Sequence, residues 1–202
     1  LLQVLQQHKL AVAAPSANRY KKLSPTSAEQ VLAGLNGRID AVLDGGLCQH
    51  GVESTIVDLS TEHIQIVRAG PITASELSAV LNCTVLQPEQ HQVKVAGNVV
   101  AHYQPDTPLV CMSSQELQAR LMTTPPADAV AVLHYSPLPA SADTLTALPM
   151  PAEATAYASR LYRTLYNADK LAVSAIWCEL PPTGEAWLAV HDRLRRAAYA
   201  QS

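Results

Sequence analysis

The chain contains no Phe in 202 residues, and Trp and Tyr bring its aromatics to only 4%. So few flat rings argue against a platform that stacks nucleic-acid bases. Long hydrophobic runs are also missing. The longest, such as Leu10 to Ala14 and Ala129 to Leu133, fall far short of the roughly 20 apolar residues that cross a bilayer, so no membrane partner is expected. No basic-then-apolar leader opens the chain, which begins Leu1-Leu2-Gln3 without a Met. The four cysteines, at 48, 83, 111 and 178, make no C-x-x-C pair. That removes the common zinc and dithiol motifs and fits incidental thiols in a reducing cytoplasmic setting. The seven histidines have no ligand spacing, so no metal site is expected. No G-x-G-x-x-G, G-x-x-x-x-G-K-[ST] or G-x-S-x-G occurs, which sets aside the common nucleotide fingerprints and the serine-hydrolase elbow. Positive charge is not in excess either: 14 basic against 17 acidic residues leave a net charge of −3, unlike a protein coated for nucleic acid.

What is present suits globular folding. Hydrophobic residues make up 48% and charged residues 15%, enough to bury a core. Lys9 to Ala14, stopped by Pro15, and Asp40 to Asp44, broken by Gly45-Gly46, read as short strands. Thr26-Ser27-Ala28-Glu29 reads as a capping box opening a helix to about Leu35, with Gly37 as its stop. Ser54–Leu59 and His63–Arg68 read as a strand pair around a polar turn, and Thr73-Ala74-Ser75-Glu76 as a second capping box. Beyond a polar, Pro-containing stretch, strands are expected at Leu109–Met112, Ala129–Leu133, Leu145–Leu148 and Val173–Trp177. Helices are expected after Ser113, from Pro151 to Ala168 and from Glu185 to Ala198. Strands alternating with helices imply an α/β protein whose sheet is mostly parallel and loosely Rossmann-like. The expected division is a first unit at 1–86, an interdomain linker at 87–107 and a second unit at 108–202.

Chemistry concentrates at a few places. Pro15-Ser16-Ala17-Asn18 and Ser24-Pro25-Thr26 put hydroxyls and an amide between a strand end and a helix start, beside Arg19, Lys21 and Lys22. That suits a phosphate cradle, though taken alone a turn followed by an N-cap accounts for it more simply. Gly45-Gly46 and Gly51-Val52-Glu53-Ser54-Thr55 offer close backbone approach to a ligand, or a plain connection with Glu53 in solvent. Arg68, before Ala69-Gly70-Pro71, offers a planar fork to a phosphate or carboxylate, or stands as a surface residue. His102-Tyr103-Gln104-Pro105 in the linker suits a lid over a ligand.

Together these motifs resemble the Sua5/YrdC family of threonylcarbamoyl-AMP synthases. The matching segments are Pro15–Asn18, Ser24–Thr26, Asp44–Gly46, Glu53–Asp58, Arg68–Thr73, His102–Pro105 and the helical and strand segments up to Ala198. The resemblance implies a twisted YrdC-like catalytic domain followed by a small Sua5-type C-terminal domain. It implies a reaction in which threonine, bicarbonate and ATP give threonylcarbamoyl-adenylate and pyrophosphate, for the t6A modification at position 37 of tRNA. Ser16, Asn18, Ser24 and Arg68 are then expected to contact ATP, with Tyr103 closing over it, and the Ala14 backbone and Ser54 to hold threonine. Mg²⁺ is expected on the phosphates, and tRNA or proteins of the t6A pathway are expected partners. The family's Lys-x-Arg segment has no match here. By this resemblance the chain corresponds to the back part of the catalytic domain, the linker and the C-terminal domain, and is expected to be poorly active alone. Ala96-Gly97-Asn98 and Tyr20-Lys21 depart from the family's usual linker and loop sequences. The other reading is a double-stranded RNA or tRNA-binding module, built on Arg19, Lys21, Lys22, Arg38 and Arg68, which strong salt dependence would reveal.

Overall fold

The computed structural model describes residues 1–88, 102–123, 126–139 and 143–199. The C-terminal half is a four-stranded, wholly parallel sheet of β3 (Leu109–Met112), β4 (Val130–His134), β5 (Leu145–Pro149) and β6 (Ala175–Glu179), in the order β3-β6-β4-β5. The central strands β4 and β6 are apolar because both faces are covered, while the edge strands β3 and β5 remain partly exposed. Alternate side chains separate the two layers. Ala131, Leu133, Ile176 and Cys178 meet α5 (Ala154–Ala168) and α6 (Leu188–Ala197), which contribute Tyr157, Leu161, Leu165, Val190 and Leu194. On the other face Val130, Val132 and Trp177 meet α4 (Ser114–Thr123) through Leu117 and Leu121. The helical period expected for 151–168 and 185–198 is therefore the period of real burial. Ser113 and Glu116 cap α4 reciprocally, as their spacing predicts.

The N-terminal half is more open. An antiparallel pair, β1 (Ile56–Asp58) and β2 (Gln65–Arg68), packs with α3 (Ala74–Leu81) over Ile66, Ala74 and Val85. Thr73 and Glu76 form the complete capping box that opens α3. Two helices precede these elements, α1 (Leu2–His8) and α2 (Ala28–Leu35). No residue of α1 is buried, and Leu10, Val12, Leu43 and Leu47 are exposed.

Three sequence expectations are corrected. Residues 9–14 and 40–44 are coil rather than strands. Their apolar runs are real, but a strand needs a partner for its backbone, and none lies beside them among the described residues. The cap of α2 is Ser27, which accepts from the Gln30 amide, while the Gln30 side chain reaches back to the Thr26 amide and hydroxyl. The box expected from Thr26 and Glu29 is thus not formed: Ser27 caps the helix, and Gln30 returns its oxygen to Thr26, the residue before the cap, instead of to the Ser27 amide. Gly51 makes a close approach, but to a helix: a Cβ there would stand 2.4 Å from the Ala158 carbonyl oxygen of α5. The linker residues Ala96-Gly97-Asn98 lie outside the described residues.

Candidate functional site

Glu53 is the centre. It follows the Gly51 contact with α5 and is aimed inward. One carboxylate oxygen accepts the Ser24 hydroxyl at 2.6 Å. The other accepts Tyr162 from α5 at 3.1 Å and Nε of Arg193 from α6 at 2.9 Å. Nη1 of Arg193 donates to Asp192, which also accepts from Arg195 and Arg196. The Arg193 guanidinium lies 5.3 Å from the ring of Tyr103, which also stacks on the ring of Tyr162 at 5.4 Å and meets that of His102 edge-on at 4.1 Å.

The electrostatics follow from this packing. Burial by itself would raise the Glu53 carboxyl, but the Arg193 charge and the hydrogen bonds from Ser24 and Arg193 outweigh it and hold it below the usual carboxylate range. Burial, aided by the Glu53 charge, pushes the Tyr103 phenol up to about 12. Burial and the like charge of Arg193 lower Arg68, which is therefore within reach of the same cluster. Burial also lowers His102.

The residues singled out from sequence divide into three groups. Ser24, Ser54, Arg68 and Tyr103 gather around Glu53 and Arg193. Arg68 spends Nε and Nη2 on the Ser54 carbonyl, at 3.0 and 2.9 Å, and Nη2 also reaches the Ser54 hydroxyl at 3.1 Å. Tyr103 is only 1% exposed, so it packs inward instead of standing over an open cleft. Asn18 and Ser24 line a cleft of about 340 Å³ with Lys22, Gln104 and Asp169. Asn18 Nδ2 closes its own loop through the Lys22 carbonyl, whereas its buried Oδ1 has no hydrogen-bond partner among the described residues. Ser16 and Ala14 are exposed coil and line neither this cleft nor the larger one. That larger cleft, about 670 Å³, runs between Arg68 and α6 and carries His191, Arg195 and Arg196. Of the residues expected at ATP, Asn18 and Ser24 thus share one cleft, Arg68 lines the other, and Ser16 and Tyr103 line neither.

The end of the expected linker, 104–107, is tied to both halves. The Gln104 amide donates to the Lys21 carbonyl at 2.9 Å, Lys22 pairs with Asp106, and the amides of Asp106 and Thr107 bond Asp169 at the end of α5. Sequence reasoning missed Tyr162, Asp192 and Arg193 and left Glu53 open between solvent and site. Arg193 is 140 residues from Glu53, so no spacing rule links them. The one available signal was the Glu53–Asp58 motif itself.

Residues 72–199 match the family model described as threonylcarbamoyl-AMP synthase, C-terminal domain. The chain belongs to the threonylcarbamoyl-AMP synthase family. Residues 1–70 match the Sua5/YciO/YrdC model, described as telomere recombination. Among curated relatives, the threonylcarbamoyl-AMP synthase of Bacillus subtilis is 32% identical over 206 residues, covering 98% of this chain and 60% of that protein. That of Pyrococcus abyssi is 30% identical over 124 residues, covering 59% of this chain and 36% of that protein. The chain therefore spans less than two thirds of the relatives it matches. The crystal structure of Pyrococcus abyssi Sua5 complexed with L-threonine superposes with a TM-score of 0.76 at 28% identity, covering 98% of this chain and 60% of the other. Within this member of the family, the Glu53–Arg193 pair joins the two matched segments.

Proposed function

We propose that the chain carries part of the site of an L-threonylcarbamoyladenylate synthase. In this reaction threonine and bicarbonate give a carbamate with loss of water. A carbamate oxygen bonds the α-phosphorus of ATP, the α–β bridging P–O bond breaks, and pyrophosphate leaves with the electron pair. The task is alignment and neutralisation of phosphate charge, with no covalent nucleophile needed. Ser16, Asn18, Ser24 and Arg68 contact ATP, the Ala14 backbone and Ser54 hold threonine, and the segment 102–106, anchored by the buried ring of Tyr103, borders the nucleotide. The convergence of Ser24, Ser54, Arg68 and Tyr103 on one buried ion pair carries this reading. It is supported by the threonine complex of the Pyrococcus protein, and by a second solved form of that protein in which an adjacent His and Tyr are replaced by Ala, the same pair of types as His102-Tyr103.

The Arg68 guanidinium and the Ser16 hydroxyl are donors that suit phosphate oxygens, whereas the Ser24 hydroxyl already donates to Glu53 and Asn18 Nδ2 to the Arg19 and Lys22 carbonyls. Among the described residues no group of three His, Cys, Asp or Glu is placed to hold an ion. Mg²⁺ in this reading arrives on the ATP phosphates as part of the substrate. No helix among the described residues is long and apolar enough to cross a membrane. The units 1–86, 87–107 and 108–202 are the working division, with tRNA and its modifying proteins downstream of the product.

The test is release of pyrophosphate from ATP by the gene product that carries this sequence. The expected result is release that requires both threonine and bicarbonate and falls when Arg68 or Ser54 is replaced by Ala. Release independent of threonine, or none, overturns the reading.

A further inference from the structure

Arg193 is 1% exposed and has more assigned work than packing requires. Its Nε is spent on Glu53, its Nη1 on Asp192, and its cationic face covers Tyr103. Its Nη2 is buried with no hydrogen-bond partner among the described residues. Asp192 is in turn held at both oxygens by Arg196, so the planar fork of Arg193 has a set orientation. On the far side, Glu53 converts that orientation into the position of the Ser24 hydroxyl. Tyr103 has a φ of 60°, a left-handed conformation that costs on the order of 1 kcal/mol or more for a residue with a Cβ and persists only where the surroundings impose it. The contacts of the Tyr103 ring with Tyr162 and Arg193 supply that surrounding here.

We propose that Arg193 is a positioning residue for the nucleotide part of the site, holding Ser24 through Glu53 and the His102-Tyr103 segment through its face. The C-terminal α/β unit is then a working part of that site. This rests on the reading that Ser24 and the 102–106 segment meet ATP. Lys cannot substitute, since a single ammonium cannot bond Glu53 and Asp192 in one plane while covering a ring. Two segments far apart in sequence, 16–26 and 102–106, are governed by this one side chain.

The experiment compares wild type, Arg193→Lys, Arg193→Met and the double variant Arg193→Met with Glu53→Gln, by amide hydrogen exchange and by calorimetric titration with ATP and, separately, threonine. In Arg193→Met, exchange in 16–26 and 102–106 is expected to rise about tenfold while β4 and β6 stay protected. ATP affinity is expected to drop about tenfold, with threonine affinity held within about twofold. Arg193→Lys falls between, and the double variant, which strands no charge, keeps the fold yet still exchanges fast in both segments. Unchanged exchange in the two segments, exchange that rises equally in β4 and β6, or equal losses for ATP and threonine would overturn the proposal. If wild type binds no ATP, the functional reading fails, and the exchange pattern still decides the positioning role.

Discussion

Nε of Arg193 donates to Glu53 at 2.9 Å across 140 residues of sequence, and the Glu53 side chain is 17% exposed against 1% for Arg193. That burial sets the energetic weight of the pair. Removing one member of a buried pair leaves an uncompensated charge, which costs far more than the pair contributes over apolar replacements.

Glu53→Ala is therefore expected to destabilise by about 3 kcal/mol in denaturant titrations. Lys170→Ala, which removes an exposed pair with Glu29 at 3.5 Å, is expected to change stability by less than about 0.5 kcal/mol. Equal effects from the two substitutions would show that the Glu53 site is solvated.

Acid should weaken the hub. Because the folded state holds the Glu53 carboxyl below its usual range, its contribution is present above the unfolded carboxylate pKa, about 4.3. It is lost as pH falls through the lower folded value. Unfolding free energy should decline below about pH 4, and less steeply in Glu53→Gln. Identical slopes in the two proteins would remove Glu53 from the acid response. Asp192, also lowered against its burial by Arg196 and Arg193, accounts for part of the remaining slope.

The approach of 51–53 to α5 rests on a glycine. Gly51→Ala would put its Cβ 2.4 Å from the Ala158 carbonyl and 2.5 Å from that of Ser159, both backbone atoms that cannot swing away. A loss of about 1–3 kcal/mol in thermal unfolding is expected. Gly45→Ala, where nothing lies within 4 Å, should stay within about 0.5 kcal/mol of wild type.

Thiol titration gives an independent check of the C-terminal core. Cys48 and Cys83 are exposed, whereas Cys178 is buried beneath α5. Its thiol is pushed well up, first by its hydrogen bond with Cys111 and then by burial. Two thiols should react promptly with an aromatic disulfide reagent. Cys178 should react only when the sheet unfolds, and prompt reaction at Cys178 would contradict the packing described.

The segments most readable from sequence are those whose pattern is satisfied locally. Thr73 with Glu76 and Ser113 with Glu116 close their capping boxes within four residues. The four-residue spacing of Tyr157, Leu161 and Leu165 predicts the buried face of α5. The runs at 9–14 and 40–44 carry an equally apolar pattern and are coil, because pairing depends on a neighbour that no local pattern encodes. For Ser24, Arg68 and Tyr103 the motif supplied the residue types but not their partners. Tyr103 in particular reads as a lid and packs as an interior ring.

By itself, then, the sequence determined the α/β alternation, the helix starts and the motif residues of the family, since propensity, capping and periodicity act over a few residues. Only the tertiary structure decided the strand order β3-β6-β4-β5, the seating of Gly51 on α5, and the meeting of Glu53 with Arg193. Each of these depends on burial and charge pairing between segments far apart in the chain, where the balance of desolvation against a fixed partner is settled only after the chain has closed on itself.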